Sequence, residues 1–121
     1  MGEAEEAIKL IETGMELNPH YSWDYLYNLG RANYALGRYE KAVEYLQQAL
    51  ERNEFPGQPR LFLMASYVQL GQQDDAEWEV DQLGMSHPEF TLSHLETIFP
   101  MQDKKLLEKF ISDLTAAGLP E

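Results

Sequence analysis

The chain has 121 residues, of which 44% are hydrophobic and 25% charged, enough for one domain with a buried core. Nine Lys and Arg oppose 21 Asp and Glu, so the formal net charge is −12, which repels nucleic-acid phosphates. No apolar run could span a membrane, the first residues are acidic where a targeting signal is basic, and there is no cysteine for disulfides or thiolate sites. We therefore expect an acidic cytoplasmic protein without a nucleic-acid or membrane partner.

The first predicted helix lies within residues 4–20. Its sequence resembles only the second helix of a helical hairpin. We expect the chain to be cut from a longer protein, so that this helix has lost the preceding hairpin. Ile8, Ile11 and Met15 would then be uncovered, and uncovered apolar patches usually find a partner. This predicts self-association through the N-terminal helix.

Two segments then repeat at an offset of 34 residues. Matching pairs are Leu29 with Leu63, Leu36-Gly37 with Leu70-Gly71, and Ala42 with Ala76. Each copy, residues 22–55 and 57–90, predicts two antiparallel helices separated by a glycine that supplies a left-handed turn. Small residues such as Gly30 and Ala42 are expected where helices cross closely. Because one hairpin cannot bury both of its faces, the copies should stack into a solenoid.

Residues 91–121 lack the repeat and predict a capping pair of helices over the last apolar face of the solenoid. Thr91 should cap a short helix through Phe99, Pro100 should break it, and Asp103 should cap a final helix that Gly118 and Pro120 close. The inward residues would be Leu92, Leu95 and Ile98, then Leu106, Leu107, Phe110, Ile111 and Leu114. In total we expect an all-α fold of about seven helices, with turns near Gly37, Gly71 and Pro100.

The 34-residue period resembles the tetratricopeptide repeat over residues 4–88, as one half repeat and two whole repeats. The matching motifs are Leu29-Gly30, Gly37-x-Tyr39-x-x-Ala42, Ala49, Leu70-Gly71, Ala76 and Pro88. Asn33, Met64 and Glu54 depart from the usual aromatic, small and proline residues. The resemblance implies one domain, residues 1–121, of stacked hairpins in a right-handed superhelix that serves as a noncatalytic scaffold for protein binding.

A narrower resemblance concerns Leu17-Asn18-Pro19-His20-Tyr21, residues 25–31 and the tail from Leu106. This combination resembles the C-terminal repeat region of multidomain bacterial class III adenylate/guanylate cyclases. It implies a regulatory or self-association domain of a larger signalling protein, whose catalytic domain would lie outside this chain.

The family resemblance also implies a concave groove, lined by the first helix of each repeat, that takes a peptide or a helix. The lining carried over to this sequence is Asp24, Tyr27, Arg31, Tyr34, Gln58, Leu61, Ala65 and Val68. The alternative is that a neighbouring helix or missing N-terminal repeats occupy this surface. Of the positions that grip terminal carboxylates in some members, only Asn28 carries a suitable residue, which argues against a chaperone-tail adaptor.

Residues 61–103 contain no Lys or Arg but eight acids: Asp74, Asp75, Glu77, Glu79, Asp81, Glu89, Glu96 and Asp103. This acidic block is interpreted either as a docking surface for a basic partner or, preferably, as a solvated helix face. Trp78 lies off the apolar stripe of its helix, where it is either an exposed contact residue or part of a second packed face.

No motif in the chain indicates catalysis, a metal or a cofactor. His20, His87 and His94 have no metal-ligand spacing, and no nucleophile turn or glycine-rich phosphate loop occurs. The leading hypothesis is therefore a noncatalytic module that binds a protein or peptide ligand. Its rivals are a self-association element of a larger signalling enzyme and an enzyme whose site geometry a single sequence conceals.

Overall fold

The computed structural model describes residues 2–54, 56–98 and 104–121. Within these ranges the chain forms an all-α helical repeat with seven helices and no strand, as predicted. The helices are α1 Gly2–Leu17, α2 Trp23–Ala35, α3 Tyr39–Arg52, α4 Gln58–Gln69, α5 Gln73–Ser86, α6 Leu92–Ile98 and α7 Lys104–Ala117. None of the described helices has the length and apolar character that crossing a membrane requires.

The glycines between paired helices adopt the left-handed conformation that the sequence predicts. Gly37 has φ +77° and Gly71 has φ +74°. After α2 the Arg38 amide donates to the Asn33 carbonyl at 2.8 Å, and the same 2.8 Å bond recurs 34 residues later after α4. Such bonds satisfy carbonyls that a helix end leaves free. The repeat in the sequence is thus a repeat of backbone structure.

Small residues allow the helices of the first full hairpin to cross closely. Ala42, Leu46 and Ala49 of α3 are fully buried. A Cβ atom added at Gly30 of α2 would lie 2.4 Å from Leu46 Cγ, well inside van der Waals contact. The predicted close crossing at Gly30 is therefore confirmed.

Stacking of successive helices forms one apolar core. α1 packs on α2, α2 on α3, α3 on α4, and α4 on α5. The largest fully buried side chains are Leu26, Leu29, Tyr34, Leu46, Leu61, Phe62, Leu63, Met64, Leu83, Leu95, Phe110 and Leu114. They come from α2 to α7, so the C-terminal helices share the core of the hairpins.

The C-terminal segment begins as predicted, because the His94 amide donates to the Thr91 hydroxyl at 3.3 Å and caps α6. The predicted helix end at Phe99, the break at Pro100 and the cap at Asp103 lie outside the described residues. α7 ends before Gly118, whose φ is +104°. It packs on α4, touches α5 and α6, and reaches Tyr34 of α2. The sequence predicted a cap over the last apolar face of the solenoid, and α7 additionally contacts the first full hairpin.

Candidate partner-binding groove

The eight predicted lining residues lie on the two helices that the repeat predicts, four on α2 and four on α4. The spacing of Asp24, Tyr27, Arg31 and Tyr34 places them along one side of α2. α2 and α4 are neighbours, and the Tyr27 ring meets Phe62 of α4 edge-on with centroids 6.0 Å apart. Both helices thus contribute to one face. The family resemblance implies that this face is concave, and we call it the concave face.

Exposure divides the eight residues into three groups. Arg31 is exposed, while Asp24, Gln58 and Val68 are half-buried. The buried members are Tyr27, Tyr34, Leu61 and Ala65. The first group is available to a partner, whereas the last contributes to the core.

α7 covers part of the concave face. The Phe110 ring stacks on Phe62 with centroids 4.3 Å apart and a 17° angle between planes. Phe62, Ala65 and Gln69 lie on the same side of α4. The Gln69 amide donates to the Asp113 carboxylate of α7 at 2.6 Å. A neighbouring helix of the same chain therefore lies over this part of the predicted lining.

A polar cluster fastens α7 to α2. The Tyr34 hydroxyl donates to Asp113 Oδ2 at 2.6 Å, and Lys109 Nζ lies 3.1 Å from the same oxygen. Burial, with the Asp113 carboxylate adding to it, raises the pKa of Tyr34. The hydroxyl therefore keeps its proton at any physiological pH and remains the donor.

An open groove of about 380 Å³ remains beside this cluster, between α1, α2 and the start of α7. Its lining is mostly small and apolar. It consists of Ala4, Ala7, Ile11, Asn28, Arg31, Ala32, Tyr34, Ala35, Phe62 and Leu106. We call it the α1–α2 groove, and its lining includes two of the eight predicted residues, Arg31 and Tyr34.

Arg31 is the charged side chain of the α1–α2 groove. Its guanidinium lies 5.4 Å from the Tyr27 ring centroid and 5.6 Å from that of Phe62. Burial raises the pKa of Tyr27 to about 12, although Arg31 opposes that rise. In the described ranges no carboxylate forms an ion pair with Arg31. A cation held against aromatic rings and open to solvent can receive a partner's carboxylate.

Asp24 and Gln58 lie at the beginnings of α2 and α4. The Ser22 hydroxyl donates to the Asp24 carboxylate, which holds this side chain against the start of its own helix. The structure does not bring Asp24 and Gln58 into the lining of the α1–α2 groove.

The acidic block is less uniform than the sequence indicates. Glu79 is buried and pairs with Arg60 at 2.7 Å, so it does not belong to an exposed acidic surface. Asp74, Asp75 and Asp81 are exposed. Trp78 is 54% exposed, which identifies it as a surface residue. Its ring lies 5.8 Å from the Arg60 guanidinium.

Sequence reasoning left open that a neighbouring helix occupies this face but did not identify that helix as α7. One signal was present, because Asp113 falls beside Phe110 and Leu114 in the apolar stripe of α7. A carboxylate in a buried stripe requires polar partners from other elements. Here these partners are Tyr34, Gln69 and Lys109.

Comparisons with known proteins bear on the first full hairpin. No curated protein matches the chain. These comparisons do not support the resemblance to the cyclase repeat region, which stays a prediction. The expected absence of a metal and of a cofactor also stays a prediction. Residues 23–55, which contain α2 and α3, match the tetratricopeptide repeat family. Together with the repeated backbone geometry, this match supports a tetratricopeptide repeat protein.

Proposed function

We propose that this chain is a noncatalytic protein–protein interaction module that binds a peptide or helix on its concave face, at the α1–α2 groove. Tetratricopeptide repeats generally mediate protein–protein interaction, which supports the general role. Support for this location comes from one observation, the exposed Arg31 guanidinium beside a small apolar groove. Arginine and aromatic side chains often provide most of the binding energy at interfaces.

The open part of the concave face fits this role better than the covered part. A partner that used Ala65 would have to displace α7, which contributes the buried Phe110 and Leu114 to the core. Arg31 and Asn28 need no such displacement, because neither side chain is buried. We therefore infer that Arg31 is the main anchor among the eight predicted residues.

A selection of random peptides displayed on phage, made against the whole chain, tests the proposal. Enriched peptides should lose affinity about tenfold or more for Arg31→Gln. Arg31 is exposed, so this substitution should leave the fold intact, which circular dichroism checks. Tyr27→Ala is a poorer test because Tyr27 is buried and its truncation would disturb packing.

Asp74→Asn combined with Asp75→Asn is the matched control on the outer surface of α5. Both residues are exposed, and rim charges mainly affect the association rate and its dependence on salt. The double variant should therefore bind the selected peptides almost as the parent does. If it abolishes binding while Arg31→Gln does not, the partner site is the acidic block and the proposal is wrong.

Self-association is a second candidate function, favoured by the exposed apolar residues of α1. Leu10 is 74% exposed and Leu17 is 81% exposed, two turns apart on one side of the helix. Light scattering should then show a concentration-dependent dimer that Leu10→Gln with Leu17→Gln abolishes. A chain that stays monomeric at millimolar concentration would exclude this function.

A further inference from the structure

The outer side of α5, which faces away from the core, carries two large apolar residues. Trp78 is 54% exposed and Met85 is 73% exposed. They share this side of the helix with two exposed carboxylates, those of Asp74 and Asp81. The four residues follow one another at intervals of four, three and four positions, and we call them the outer stripe. The same intervals occur along the contact line between two helices that pack side by side.

The preceding repeat shows that the fold does not require apolar residues on this side. The four equivalent residues of α3, 34 positions earlier, are all polar and exposed: Glu40, Glu44, Gln47 and Glu51. Both α2 and α4 pack against α3, so this side stays open even where the two neighbouring helices are present. Trp78 and Met85 therefore stand where stacking within the chain leaves a helix in solvent, and core packing does not explain them.

The acids of the outer stripe are not neutralised by the rest of the described chain. No Lys or Arg occurs in residues 61–103. None of the ion pairs in the described ranges involves Asp74 or Asp81. Arg60, which lies beside α5, pairs with the buried Glu79 at 2.7 Å. The field over this side is therefore negative, and it attracts a basic partner.

An open groove of about 730 Å³ lies at the Met85 end of the outer stripe. Its lining includes the exposed carboxylates of Glu54 and Glu89. Arg60 of the lining is held in the ion pair described above, and His87 Nδ1 lies 3.4 Å from Glu89 Oε2. The acidic surface therefore continues beyond the outer stripe, which by itself is about 16 Å long, or roughly three helical turns.

We propose that the outer stripe binds a basic amphipathic helix of a partner protein, with its apolar side chains on Trp78 and Met85. Its lysines or arginines would face the carboxylates of Asp74 and Asp81, which supply the complementary charge. A helix fits as the occupant because its own side chains recur at intervals of three and four residues and can meet the stripe along its whole length. This site is separate from the α1–α2 groove and does not depend on the proposed function.

A designed peptide of roughly 18 residues serves as the probe, with leucines along one side of its helix and lysines beside them. A matched peptide has alanine in place of each leucine and carries the same charge. Fluorescence anisotropy measures the binding of both labelled peptides to the whole chain. The leucine peptide should bind at least about tenfold more tightly, because it alone has the bulk to cover Trp78 and Met85.

Trp78→Glu combined with Met85→Glu gives α5 the residues that α3 carries at the equivalent positions. This variant adds two negative charges, so attraction by net charge alone would strengthen binding of the lysine-rich peptide. We expect the opposite, at least about tenfold weaker binding. Both side chains are exposed, so the fold should persist, which circular dichroism checks. Trp78→Gln with Met85→Gln replaces this variant if the added charge disturbs the helix, and the same loss is expected.

Two pairs of charge variants separate the outer stripe from the field of the whole chain. Asp74→Asn with Asp81→Asn should weaken binding about fivefold and make it less dependent on salt. Glu44→Gln with Glu51→Gln removes the same charge from α3 and should change the affinity less than about twofold. Amide shifts in the NMR spectrum of the labelled chain should change mainly within residues 73–87 when the leucine peptide is added.

Several results would overturn the proposal. Equal binding of the leucine and alanine peptides, or tighter binding to Trp78→Glu with Met85→Glu, would leave only attraction by charge. Equal weakening by the two pairs of charge variants would assign the binding to the field of the whole chain, and a leucine peptide that does not bind would refute the site outright. Loss of binding on Arg31→Gln would place the peptide in the α1–α2 groove. If phage-selected peptides ignore Arg31 while the leucine peptide still requires Trp78, the proposed function fails and this site stands.

Discussion

The Tyr34 hydroxyl and the Asp113 carboxylate are joined by a 2.6 Å hydrogen bond, although 79 positions separate them in the chain. The bond connects the first full hairpin directly to α7. Lys109 and Gln69 complete the coordination of the carboxylate, at 3.1 and 2.6 Å. Together these contacts hold α7 against α2 and α4, and they determine how much of the concave face a partner can reach.

We expect Tyr34→Phe to destabilise the fold by about 1–2 kcal/mol, because it removes a donor from a buried carboxylate and keeps the ring. Urea unfolding followed by circular dichroism measures the change. Tyr25→Phe is the matched control, since Tyr25 is half-buried, and its effect should stay within about 0.5 kcal/mol. Equal stability of Tyr34→Phe and the parent would show that the bond to Asp113 contributes nothing.

Phe110→Ala should destabilise the protein by about 3–5 kcal/mol, as expected for removal of a fully buried ring that stacks on Phe62. The neighbouring Ile111 is half-buried, so Ile111→Ala should cost clearly less. Both are measured as shifts of the urea midpoint at constant slope. A Phe110→Ala variant that unfolds at the parent's midpoint would contradict the placement of α7 in the core.

Alanine substitutions at two helical glycines should have opposite effects. Gly30→Ala places a Cβ atom 2.4 Å from Leu46, so overpacking of about 1–3 kcal/mol outweighs the helix propensity gained. At Gly84 of α5 nothing lies within 4 Å, so Gly84→Ala should stabilise by about 0.5–1 kcal/mol. Thermal unfolding compares the two. A stabilised Gly30→Ala variant would mean that α2 and α3 can separate without cost.

The buried Glu79 should make stability depend on pH in a predictable direction. Burial raises the pKa of Glu79, although its hydrogen bond from Arg60 opposes the rise. Since the folded chain then binds this proton more readily than the unfolded chain, the contribution of Glu79 is greatest at low pH. This contribution decreases as the pH rises from the ordinary pKa of a carboxyl group through the raised pKa of Glu79.

Comparison with Glu79→Gln isolates this contribution, because most other groups titrate alike in both proteins. Between about pH 5 and pH 7.5, the free energy of unfolding of the parent should fall relative to that of Glu79→Gln. Both conditions stay above the isoelectric point of 4.5, which limits precipitation. A relative increase over this range would mean that pairing with Arg60 outweighs burial.

Local patterns were sufficient to predict the helices and the helix ends at Gly37, Gly71 and Thr91. Apolar spacing identified the buried side of α3, and Gly37 and Gly71 marked turns, because only a left-handed residue closes these helix ends without strain. The Thr91 cap is equally local, since its partner lies three residues away. Such features depend on neighbours within one or two turns, and their residues are adjacent in the sequence.

The location of α7 could not be predicted in the same way. Periodicity indicates that Phe110 and Leu114 are buried but not which helix covers them. The stacking of Phe110 on Phe62 depends on the angle at which α7 crosses α4, and that angle follows from the packing of all the helices together. The buried pairing of Glu79 with Arg60 could not be predicted, because an acidic run in the sequence does not show which side of α5 packs against α4.

The closure of the concave face by α7 also has a consequence for synthesis. A ribosome produces the two hairpins before the helix that covers them. Until Phe110 is made, the rings of Phe62 and Tyr34 have no cover from α7. The nascent chain therefore passes through a stage in which these aromatic side chains are accessible, and chaperones that recognise apolar segments have their best opportunity to bind during this interval.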